Sequence, residues 1–116
     1  MAADYSIDRE RLYSILDAAA AAAAALAGIR DEHEALRTET ANLELGIRVA
    51  TETSLGSEPN PQSARRLAGR KEQLQRLQNR RTEAEARLMP RVELARRALA
   101  HARKHGLSEE VSGYVF

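Results

Sequence analysis

The sequence predicts an all-α protein, a long antiparallel helical hairpin of coiled-coil character, and three observations carry that expectation. Apolar residues recur at alternating steps of three and four through both halves of the chain. A single cluster of helix-breaking residues, "TSLGSEPNPQS", lies near the middle. The halves carry opposite charge: residues 1–60 hold 11 acids and 5 bases, and residues 61–116 hold 6 acids and 13 bases. Placed side by side, such halves attract each other and disfavour like-with-like pairing, although each exposed pair contributes only about 0 to 1 kcal/mol.

The first helix is expected over about 7–54. Its series runs Leu12, Ile15, Ala19, Ala22, Leu26, Ile29, His33, Leu36, Thr40, Leu43, Ile47 and Ala50, and all but His33 and Thr40 are apolar. A period of 3.5 kept over six heptads is the pattern of a coiled-coil seam. Ser6 or Asp4 can cap its start. The turn follows over 55–60. Gly56 suits a left-handed terminating residue, Pro59 opposes continuation, and Asn60 before Pro61 is a cap with proline in the first helical position.

The second helix is expected over about 61–105, with an apolar series of Leu67, Leu74, Leu77, Ala84, Leu88, Val92, Ala95, Leu99 and Ala102. The step from Leu88 to Val92 is a second consecutive four, which shifts the heptad phase where Pro90 removes an amide donor. A continuous helix kinked at Pro90 is favoured over a break, because Met89 is a poor cap for a new helix. Lys104 and His105 suit the carbonyl end, and Gly106 ends the helix ahead of a tail over 106–116.

In a hairpin turning near residues 57 and 58, positions whose numbers sum to about 115 lie level. Gly46 then faces Gly69, and the alanine run from Ala18 to Ala25 lies beside residues 90–97. Small residues there would let the backbones approach closely or admit a third helix, or the alanines simply supply helix propensity. His33, in a core position, falls level with Arg81 or Thr82 and reads as a polar layer that sets register.

Function is constrained mostly by exclusion. The chain has no cysteine, hence no thiolate chemistry, and no glycine-rich phosphate loop; its serines lie at caps and in irregular segments, so no catalytic residue and no cofactor are expected. His101 and His105, one turn apart with Glu10 level, are the only spacing that suggests a metal. Histidines near a helix C-terminus are commoner as surface groups, so no metal is assigned. The longest apolar run, Ala18 to Ile29, is shorter than the roughly 20 residues that cross a bilayer, and no basic segment with a cleavage site precedes it. The expected location is soluble, in the cytoplasm or as part of a viral particle, with no membrane or small-molecule partner.

All four aromatic residues, Tyr5, Tyr13, Tyr114 and Phe116, fall at the terminal end of the hairpin. Tyr5, Tyr13, Tyr114, Val115 and Phe116 are therefore candidates for docking onto a protein partner, with a local cap over the helix ends as the alternative. A two-helix rod covers only one side of each helix. The stripe of Leu12, Ile15, Leu26, Ile29, Leu36, Leu43 and Ile47 with Leu67, Leu74, Leu77, Leu88, Val92 and Leu99 is the candidate for self-association. The expected role is that of a non-enzymatic subunit, a homo-oligomer or a component of a larger assembly such as a virion.

The alternative is a nucleic-acid-binding rod, since the second helix carries Arg65, Arg66, Arg70, Lys71, Arg76, Arg80, Arg81, Arg87, Arg91, Arg96, Arg97, Arg103 and Lys104. No aromatic residue is interleaved to stack on bases. Intrahelical pairs such as Glu72 with Arg76 and Glu83 with Arg87 account for part of that charge. In size and outline the chain is similar to the small helical hairpins exported by type VII secretion, whose turn carries a Trp-x-Gly motif; the turn here reads "SLGSEPNP". It is also similar in architecture to small helical proteins that scaffold, cement or connect phage particles.

Overall fold

Two helices make the fold, α1 over Arg9–Thr53 and α2 over Pro61–Lys104. The computed structural model describes residues 8–53 and 60–116. Tyr5, the Ser6 or Asp4 cap, the Gly56 stop and Pro59 lie outside the described residues. The fold is the all-α helical hairpin that periodicity and the central breakers foretell.

The first cap within view is Asp8, whose Oδ1 accepts from the Arg11 amide at 3.2 Å. The carboxylate thus satisfies one of the amides left without a partner in the first turn. At α2 the expected cap is in place: Asn60 Oδ1 accepts from the Gln62 amide at 2.9 Å, with Pro61 in the first helical position. The far end of α2 closes as anticipated. Gly106 takes φ of +85°, its amide donates to Arg103 at 3.2 Å, and the Leu107 amide donates to Ala102 at 2.9 Å. This pair of bonds reverses the chain with the last carbonyls satisfied, and it needs a residue at ease in the left-handed region. α2 runs unbroken through Pro90. The four-residue step there keeps the stripe inside, because Val92 is half-buried and Ala95, Leu99 and Ala102 are buried.

Contacts divide the chain into two units, Met1–Leu26 with Glu83–Phe116 and Ala27–Thr82. The first has a hydrophobic cluster of Leu12, Leu16 and Ala19 from α1, Ala95, Leu99 and Ala102 from α2, and Val111 from the tail. Ile15, Ala98, Leu107, Tyr114 and Phe116 pack on its edge. The second unit buries Leu77 together with two polar residues, His33 and Thr40. Its helices are antiparallel in the expected register: Lys71 Nζ lies 3.4 Å from Glu44, Arg70 lies 3.0 Å from Glu39, and Arg81 Nη1 lies 3.3 Å from His33 Nδ1. Arginine can only donate, so His33 Nδ1 accepts, and this is the polar layer that the heptad pattern places at that level. The Thr40 hydroxyl donates to the Leu36 carbonyl at 2.7 Å, which makes its burial tolerable.

Gly46 and Gly69 do not mediate a close approach. A Cβ built on either meets nothing within 4 Å, so both glycines look onto open space. Summing numbers across the turn gives axial level but not rotation about the helix axis, and neither glycine belongs to the stripe.

Candidate interaction surfaces

The tail is an ordered third layer on the first unit. Leu107 and Val111 are one turn apart, the Val111 amide donating to the Leu107 carbonyl at 3.2 Å, which lets both apolar side chains face the helix pair. Val111 is completely buried against α1 and α2. Around it the tail is pinned by polar contacts to one face of α1, the one that carries Arg9, Tyr13 and Asp17 at four-residue spacing. Glu110 accepts from Arg9 Nε at 3.1 Å and Nη2 at 3.3 Å, a two-pronged pair, and from the Tyr13 hydroxyl at 3.1 Å. The Tyr114 hydroxyl donates to Asp17 Oδ1 at 2.5 Å.

These contacts shift the groups that make them. The Arg9 hydrogen bond, then that of Tyr13, holds the Glu110 carboxyl below the usual carboxylate range. Hydrogen bonding to Glu110 raises the Tyr13 phenol, and hydrogen bonding to Asp17 raises that of Tyr114.

The docking candidates therefore have distinct placements. Tyr13 and Tyr114 are half-buried and spend their hydroxyls on their own chain, and Phe116 packs on the cluster with its ring 6.4 Å from that of Tyr114, at 15° between planes. Val115 is 88% exposed. Beside it lies an apolar groove of about 750 Å³ lined by Ala23, Leu88, Met89, Pro90, Val92 and Phe116 with Glu93 and Arg96, its outer edge marked by Met89 at 71% exposed.

The stripe closes first on its own chain. Leu12, Leu26, Leu77 and Leu99 are buried, while Ile15, Ile29, Leu36, Leu43, Ile47, Leu67, Leu74, Leu88 and Val92 are half-buried. Leu16, Leu107, Val111 and Glu110 are outside the periodic series, and all four matter to the first unit. Only Leu16 leaves a trace in the sequence, one turn after Leu12 and beside Ile15, which widens the stripe on one side.

Electrostatics divides the basic residues of α2. Arg76 pairs with Glu72 at 2.6 Å as expected, and Arg97 pairs with Glu93 at 2.7 Å. Glu83 and Arg87 form no pair, so the four-residue spacing there is unused. Among the described residues Arg65, Arg66, Arg80, Arg87, Arg91, Arg96 and Arg103 have no carboxylate at ion-pair distance. His101 and His105 stack with centroids 4.4 Å apart, and among the described residues no three His, Asp or Glu side chains gather as a metal would require.

α1 also contains an 18-residue window of mean hydropathy 1.7, of which 22% is buried. By length and composition it is the one described segment able to cross a membrane. No known protein family, curated protein or solved structure matches this chain. The class that stands is the all-α helical hairpin.

Proposed function

We propose that the chain is a non-enzymatic structural or interaction subunit, which self-associates or docks on a larger protein assembly such as a viral particle. The observation that carries this reading is the apolar surface left on the first unit after the hairpin and tail have formed. Val115 and Met89 stand largely exposed at the rim of a groove floored by Leu88, Val92 and Phe116. Exposed side chains of that size around a concave apolar floor suit a partner's side chain better than water. Light scattering after size-exclusion chromatography tests the reading, on the intact chain, on a chain ending at Ser112 and on Val115→Asp. A fall in mass, or loss of binding to an identified assembly, is the expected result. Unchanged mass and unchanged binding in both variants would remove the aromatic end from the docking role.

A second reading rests on the seven arginines of α2 that have no carboxylate at ion-pair distance among the described residues, which suit the phosphates of a nucleic acid. Salt separates the two: phosphate binding weakens steeply between low and moderate salt, while apolar docking barely responds.

A further inference from the structure

The first unit has a second apolar groove, on a face of α1 other than the one the tail covers. It holds about 420 Å³ and is lined by Leu12, Ile15, Leu94 and Ala98, with Asp8, Arg11, Arg97 and His101 around them. Around α1, Asp8, Arg11 and Ile15 share one face, whereas the tail is pinned through Arg9, Tyr13 and Asp17 on another, since two residues of offset turn about 200°. One side of the cluster is thus closed by Val111 and Leu107, and the other is open, with Leu94 half exposed at its edge.

We infer that this open groove is the contact between two copies of the chain, so that the first units of a dimer form a four-helix core. The inference rests on the self-association reading above and gives it a surface of its own, apart from the Val115 groove, which is left to dock a further partner. Three observations favour a second copy. The chain exposes 8612 Å², against about 6,300 Å² for a compact monomer of its mass. The excess, about 2,300 Å² on one chain, is more than the roughly 800 Å² that each partner gives to a stable interface. The rim carries both signs: Asp8 stands beside Arg11, which has no carboxylate at ion-pair distance among the described residues. In a two-fold contact each residue meets its counterpart's neighbours, so a rim of mixed sign is complementary to itself, as a uniformly basic one is not. Side-chain size agrees as well, because the half-exposed Leu94 lines the groove together with the small side chain of Ala98, an alternation of large and small that lets facing layers interdigitate. A bilayer is a poorer occupant, since charged side chains ring the groove on both helices.

The test uses the full chain, whose lack of cysteine makes an introduced thiol unique. Light scattering is expected to give twice the chain mass of 12.8 kDa. Leu94→Glu, with helicity by circular dichroism as a folding control, is expected to weaken the dimer on the order of a hundredfold, because it brings an unpaired charge into the contact. Leu94→Cys treated with a short thiol crosslinker is expected to yield a covalent dimer, while Val49→Cys, an exposed position in the second unit, yields none. A monomeric intact chain overturns the inference, whether or not it binds vesicles or another protein. A dimer that Leu94→Glu leaves intact and Leu94→Cys does not link overturns this surface and leaves self-association standing.

Discussion

The unit Met1–Leu26 with Glu83–Phe116 and the unit Ala27–Thr82 draw on the same two helices, yet they are held together differently. In the first, the tail adds a third layer, and Leu16, Ala19, Ala95, Ala102 and Val111 reach complete burial. In the second, two helices face each other, and among the described residues nothing further packs on their flanks. Leu77 is its one buried apolar side chain among the described residues, and the rest is a His33–Arg81 contact, a back-bonded Thr40 and ion pairs at the surface. A pair of helices can half-bury a seam, and full burial needs a third surface. Eleven residues of tail supply it to one unit only, so the apolar effect stabilises the first unit and register-setting polar contacts dominate the second.

Core truncation gives the largest expected difference. Leu16→Ala should cost about 3 kcal/mol, because a completely buried leucine leaves a cavity that the layers around it cannot fill. Leu77→Ala, at the open seam, should cost less, about 2 kcal/mol or below. Thermal unfolding followed by circular dichroism compares the two, and equal losses would mean that the second unit is packed as fully as the first.

The second unit should respond more to backbone changes. Gly28, Gly46 and Gly69 all lie in helix with open space where a Cβ would go. Replacing the three with alanine should raise stability by about 2 to 3 kcal/mol, the sum of their helix-propensity deficits. Denaturant titration measures the gain. A loss instead would place a partner against those faces.

Val111→Ala should cost about 2 kcal/mol, from the two methyl groups removed, and native-state hydrogen exchange should show faster exchange in the first unit alone. Breaking the surface pair Glu72–Arg76 with Glu72→Gln should cost only about 0.3 to 0.5 kcal/mol, and that loss should fade in salt.

The smallest effect is a pH dependence confined to the first unit. The Glu110 carboxyl is held below its ordinary range, so its contribution is present above about pH 4.5 and is lost as pH falls through the depressed value. Tyr13 and Tyr114 are raised, so their contribution is present below about pH 10 and is lost as pH rises through the elevated values. Protection of the tail amides, corrected for their intrinsic exchange rates, should therefore be greatest between those limits, and Glu110→Gln should remove the acid side of the profile. A tail equally protected at pH 3 would show that Val111 and Leu107 hold it without the carboxylate.

The two-helix plan was legible in residue order because it depends on local chemistry. Steps of three and four set the seam, Asn60–Pro61 sets the start of α2, and Gly106 sets its end; each acts through neighbours within one or two turns. The pairing of His33 with Arg81 followed from counting across the turn, since helices rise by a fixed amount per residue. The expected close approach at Gly46 and Gly69 failed because counting does not fix rotation. Glu83 with Arg87 shows the same limit, for spacing permits an ion pair that an exposed side chain need not form.

What the sequence determined alone, then, was helix, register and chain reversal, all governed by periodicity and by capping. Only the tertiary structure decided that Leu16 and Val111 complete a core, that Glu110 and Asp17 pin the tail, and that one flank of the first unit is covered while another is open. Those features join residues about a hundred positions apart through side-chain shape and hydrogen-bond geometry, and no pattern within a helical turn encodes such a meeting.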